Sequence, residues 1–172
     1  MHSNIESIFD EAENRYLKPD ELGVLNQYVD SLPDRLDTYR HLRAQEVAIM
    51  QPVANQLEAQ FSQENTETLE RSIKTALLIM RYCAMAMLLN DETFLPTRLS
   101  GWFAQPIKIY NTERIDGVLY QLLDRRLSDV LTPSQLNLIR PHLVLAQEIL
   151  LGQPNTQISR AHSFHSGLAF DS

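Results

Sequence analysis

The segment spanning residues 67–89 constrains the fold more than any other. Leu69, Ile73, Ala76, Leu77, Met80, Ala84 and Met87 fall on one stripe at helical spacing. The second half adds Leu78, Ile79, Met85 and Leu88, so the helix is apolar nearly all round. Such a helix must be enclosed, by other helices or by lipid. The most apolar window, residues 75–90, is interrupted by Arg81, whereas a membrane span needs ~20 uninterrupted apolar residues. The sequence therefore predicts a buried central helix in a soluble all-α protein.

Helical spacing recurs elsewhere. A first short helix is expected over residues 4–14. A second opens at Pro19, where Asp20 and Glu21 suit the positive end of the helix dipole, with Leu22, Leu25 and Val29 apolar. A third is expected over 33–61, with Leu36, Tyr39, Leu42, Val47, Met50 and Leu57 inward and a kink or break at Pro52. Residues 62–66 read as a connection. Asp91 is placed as the N-cap of a short helix over 92–99, and Gly101 and Pro106 punctuate the stretch beyond that helix. Residues 112–130 form a further helix, with Ile115, Val118, Leu119, Leu122 and Leu123 inside. Thr132 caps the last, which opens at Pro133 and should bend at Pro141. Residues 152–172 are polar and read as a flexible tail. Five glycines in 172 residues disfavour a turn-rich β sandwich or barrel.

Fifteen basic against twenty-two acidic residues, a net charge of -7, argue against a nucleic-acid binder. A single cysteine excludes an intrachain disulfide and a multi-cysteine metal site. Cys83 lies beside the buried stripe with no flanking base and reads as a small hydrophobe. His162 and His165 lie three apart in the tail without further ligands, His41 sits between Arg40 and Arg43, and His142 follows a proline; none is read as a metal or haem ligand. Carboxylate pairs Glu11/Glu13 and Asp20/Glu21 lie at helix starts, where dipole compensation explains them. Trp102-Phe103 could be a core plug or a contact patch. No phosphate loop, nucleophile elbow or HExxH is present, so no enzyme and no metal site are expected.

Three stretches carry a resemblance. Asp10-Glu-Ala-Glu-Asn-Arg-Tyr-Leu-Lys-Pro-Asp-Glu-Leu22 is similar to the N-terminal helical hairpin of the phycobiliproteins, most of all allophycocyanin, where Ala-Glu-x-Arg-Tyr-Leu-x-Pro-x-Glu-Leu recurs. Met80-Arg-Tyr-Cys-Ala-Met-Ala-Met-Leu-Leu-Asn-Asp91 resembles the family's central helix, with its arginine at the place of Arg81 and its closing Gly-Asp. Leu99-Ser-Gly-Trp102 resembles the family's Leu-x-Gly-Leu. The resemblance covers residues 1–151. It implies a globin-like all-α domain over 1–151, led by a pairing hairpin over 1–32 and followed by the 152–172 tail. It also implies assembly into the phycobilisome at the cytoplasmic face of the thylakoid. Glu11 stands where the family usually has Asp.

The departures bear on function. The family attaches a bilin by thioether to the cysteine of a Cys-x-Arg-Asp motif, whose Asp binds the pyrrole nitrogens. Those positions fall on Ser72, Ile73, Lys74 and Thr75. Serine cannot form the thioether, Thr75 supplies no carboxylate, and only Lys74 could meet a propionate. Cys83, eleven residues along, lies ~16 Å up the helix. No covalent cofactor is therefore expected, and Ser72, Lys74, Thr75 and Arg81 read as a vestigial bilin pocket. The leading expectation is a chromophore-free protein that binds phycobilisome subunits or an associated photosynthetic complex. Its partner surface would be Glu11, Arg15, Tyr16, Asp20, Leu22, Leu25 and Val29, pairing homo- or hetero-oligomers without nucleic acid or membrane insertion. The alternative is a light-harvesting or sensor protein holding a bilin or other flat ligand non-covalently.

Overall fold

Six helices and no strand make up the described part of the chain, residues 3–99 and 112–151, in a computed structural model. In chain order they are α1 (Ser3–Ala12), α2 (Pro19–Gln60), α3 (Thr66–Leu89), α4 (Phe94–Leu99), α5 (Glu113–Val130) and α6 (Pro133–Leu151). Trp102-Phe103, Gly101, Pro106, His162, His165 and the expected tail lie outside the described residues.

The expected central helix is α3. Ile79 and Cys83 have no exposed surface, Met80 and Met87 almost none, and α2, α4, α5 and α6 all pack against it. Among the described residues α3 alone is long and apolar enough to cross a membrane, but 44% of its most apolar stretch is buried within the protein. Around it lie Ile49, Val53 and Leu57 of α2, Leu95 and Leu99 of α4, Leu119, Leu123 and Leu127 of α5, and Ile139, Leu143, Ala146 and Leu150 of α6.

Local chemistry sets the helix ends. The Asn65 side chain accepts the Glu67 amide at 2.8 Å, capping α3, and Asn90 closes it in the left-handed conformation (φ 50°). Asp91 Oδ1 accepts the Thr93 amide at 2.9 Å and the Thr93 hydroxyl at 2.8 Å, so α4 begins two residues later than the sequence predicts. At α6 the expected Thr132 cap is reciprocal: Thr132 Oγ1 accepts the Gln135 amide at 3.3 Å, and Gln135 Oε1 accepts the Thr132 amide at 3.1 Å.

Two expectations fail in α2. The second and third helices are one 42-residue helix that runs through both Pro33 and Pro52 without a break. A proline ring is itself compatible with helical φ; its cost is the hydrogen bond lost to the carbonyl four residues earlier. At Pro52 that carbonyl belongs to Ala48, and Arg126 of α5 takes it over, with Nη2 at 3.1 Å and Nε at 3.3 Å. At Pro33 the carbonyl belongs to Val29, on a stretch open to water. The second correction is Val47, expected inside but 74% exposed. At 100° per residue it lies on the line of Val29 and Leu36, whereas the core-facing line runs through Leu42, Ile49 and Val53. Pro141 likewise leaves α6 unbroken.

Candidate functional site

Two regions carry the residues singled out by the sequence: the junction between α1 and α2, and the outer and inner faces of α3.

At the junction, Arg15 sits in the turn before Pro19 and binds both flanking helices. Its guanidinium donates to Glu21 through two bonds, of 2.9 and 2.5 Å, and pairs with Glu11 and with the Tyr16 carbonyl (3.0 Å). Glu21 also accepts the Lys18 amide at 2.7 Å. The bidentate bond to Arg15, aided by the Lys18 amide, lowers the Glu21 carboxyl to about 2. Glu11, expected at a helix start, lies instead in the last turn of α1 with Glu13 just beyond its end, and both Glu11 and Arg15 are engaged within the chain. Glu21 was legible as a helix-start carboxylate, but not as the partner of a residue six positions earlier across a turn. Asp20 is exposed and forms no ion pair among the described residues, and Tyr16 is fully exposed. Leu22 and Val29 are 45% and 54% exposed, and Leu25 is half-buried. No described part of the chain covers these apolar side chains fully.

On α3, the four residues at the expected vestigial pocket do not converge. Ser72 is 4% exposed and points inward, where its hydroxyl bonds to Asp116 of α5. Asp116 also accepts Thr112 Oγ1 at 2.6 Å, and all three residues are buried. Burial pushes the Asp116 carboxyl up, partly offset by the two hydroxyl bonds. Neither Thr112 nor Asp116 was read as functional; the signal was a hydroxyl and a carboxyl four apart at a helix start. Lys74 is exposed and pairs with Glu70 at 3.0 Å. Arg81 makes a two-point pair with Glu46 of α2, at 2.7 and 2.6 Å, which holds the Glu46 carboxyl below its usual range. Lys74 and Arg81 lie on the side of α3 opposite Ser72. Thr75 and Lys74, with Glu67, Glu70, Arg71 and Leu78, line an open depression of about 340 Å³ to which Ser72 and Arg81 do not contribute.

Cys83 has no exposed surface, its thiol donates to the His142 carbonyl at 3.4 Å, and burial pushes its pKa up. His142 is half-buried, and desolvation lowers its pKa. No cluster of three metal-ligating side chains occurs among the described residues.

An all-helical, globin-like body led by a helical hairpin is the class of protein this architecture defines. The sequence profile of the phycobilisome proteins matches residues 9–115. That match spans well over half of the chain, and the protein belongs to the phycobilisome protein family. Its role is accordingly phycobiliprotein-like, in a family of light-harvesting structural proteins. No curated protein matches the sequence.

Proposed function

We propose that this chain is a bilin-free phycobiliprotein relative that binds and assembles phycobilisome subunits, or a photosynthetic complex they dock to, through its N-terminal hairpin. One observation carries the reading: Leu22, Val24, Val29 and Leu32 stay 39–54% exposed on the N-terminal stretch of α2, whereas Leu42, Ile49, Val53 and Leu57 further along the same helix are buried in the core. An apolar stripe left open beside a completed core is surface kept for a partner. The chemistry of α3 supports the absence of a covalent pigment. The attachment position is a serine whose hydroxyl is already spent on Asp116, and Thr75 offers no carboxylate to a protonated bilin. The residues of this chain therefore do not fit a thioether-linked bilin. Residues 1–32 act as the pairing hairpin of a domain over 1–151, and the protein works as a non-enzymatic adaptor at the cytoplasmic face of the thylakoid.

The depression beside Lys74 and Thr75 favours a second reading, in which a bilin or other flat ligand binds there non-covalently. Absorption spectra of protein co-expressed with bilin-synthesis enzymes separate the two. We expect no visible band in either the native protein or the acid-urea denatured chain. A band lost on denaturation supports the second reading. A band that survives, with zinc-induced fluorescence on a gel, means a covalent bilin and overturns the proposal.

A further inference from the structure

Asp116 stands in an unusual place for a first-turn carboxylate. At a helix start such a group gains from the dipole and ordinarily keeps its hydration, yet Asp116 is 4% exposed and forms no ion pair among the described residues. Burying a carboxyl without a counterion costs stability unless hydrogen bonds meet it. Two hydroxyls meet this one, and they come from different elements. Thr112 Oγ1, at the head of α5, donates to Asp116 Oδ2 at 2.6 Å, and the Asp116 amide donates to the Thr112 carbonyl at 2.8 Å. The Ser72 hydroxyl donates from α3. A single carboxyl therefore fastens the first turn of α5 onto α3 at position 72.

The surroundings of Ser72 are closed. Leu69, Ala76 and Ile79 on its side of α3 are buried, and so are Ile115, Leu119 and Tyr120 of α5. The depression on the outer face of α3 reaches Thr75 but stops short of Ser72, so a ligand lying in it would not touch position 72. Access to that position requires the head of α5 to leave α3. That movement breaks hydroxyl bonds to a buried carboxyl, which are costly bonds to lose.

Resting on the bilin-free reading above, we infer that Asp116 is the residue that shuts position 72, so that the protein is closed to a pigment there and not merely short of a cysteine. Replacing the serine by cysteine leaves Asp116, Thr112 and the packed walls in place, and the new thiol stays out of reach.

The test places a thiol at position 72 and uses the native Cys83, which has no exposed surface, as the internal reference. Full-length Ser72→Cys protein is treated with iodoacetamide under native conditions, and the label at each site is followed by peptide mass spectrometry. With Asp116 in place, the introduced thiol should label as slowly as Cys83, at the rate of whole-molecule opening. In Ser72→Cys/Asp116→Ala it should label at least ~10-fold faster while Cys83 stays slow. Ser72→Cys/Asp116→Asn, which keeps an acceptor, should restore the protection. Should the alanine variant not fold, Ser72→Cys/Thr112→Val loosens the same clasp at nearly constant volume and should give the same split between the two thiols. Prompt labelling at position 72 with Asp116 present would overturn the inference. So would a removal of Asp116 that leaves the two thiols alike, whether both slow or both fast. Absorption after acid-urea denaturation separates this inference from the reading beneath it. Co-expressed with bilin-synthesis enzymes, Ser72→Cys should show no stable band. A stable band in that variant but not in the wild type means that the closure falls and the bilin-free reading stands, whereas a stable band in the wild type overturns both.

Discussion

At the residue scale, buried titratable groups set the sharpest expectations. Asp116 has a carboxyl pKa raised by burial, so it favours the folded state while protonated. Its contribution is complete below the ordinary value of 3.8 and is lost as pH rises through the folded value. Asn at this position keeps an acceptor for Thr112 and Ser72 without the charge. Asp116→Asn should therefore raise the unfolding free energy relative to wild type at pH 7, by an amount on the order of 1 kcal/mol, and by less at pH 4. A larger gain at pH 4 would refute this account. Glu21 runs the other way: its lowered carboxyl adds stability above 4.5 that is lost as pH falls through about 2. Hydrogen exchange should show the α1–α2 turn losing protection over that range, and Arg15→Gln should remove the dependence. Cys83 should resist a thiol reagent in the native protein and react once on unfolding; prompt native labelling would contradict its burial. Ser72 and Thr75 were legible as departures from an attachment motif. What Ser72 bonds to was not, because Asp116 lies forty-four residues away in sequence.

At the element scale, the sequence was clearest where local chemistry and packing agree. The all-round apolar run of α3, Pro19 at the start of α2 and the Thr132 cap all lie where the residues imply. It was least clear where tertiary contacts offset a local cost. A proline in a helix reads as a break, yet α2 continues because Arg126, seventy-eight residues away, takes the Ala48 carbonyl that Pro52 releases. Val47 was misjudged because over so long a helix the inward line cannot be found from apolar spacing alone; Arg35 and Thr38 are buried on it and Val47 is not. If Arg126 answers the proline, Arg126→Met should cost less in a Pro52→Ala background, where the helix recovers its own hydrogen bond. The coupling in a double-mutant cycle should be about 1 kcal/mol. A coupling of zero would mean that α2 tolerates Pro52 for another reason.

At the scale of the whole molecule, the protein divides into a closed body and an open edge. The body buries its apolar faces around α3, and no buried side-chain polar atom among the described residues lacks a partner. The edge, α1 and the first turns of α2, is held in shape by Arg15 but leaves Leu22, Val29 and Leu32 uncovered. On the proposed function, that edge is the surface kept for assembly. The central claim is that this edge, and not a pigment, is where the protein works. Its most direct test is size-exclusion chromatography of the purified protein mixed with phycobiliprotein subunits, comparing wild type with Leu22→Asp/Val29→Asp. Both side chains are exposed, so the variant should match wild type in circular dichroism and, within ~0.5 kcal/mol, in unfolding free energy. The account predicts that wild type co-elutes with the subunits while the variant, folded, elutes alone. Co-elution of both proteins to the same extent would contradict it.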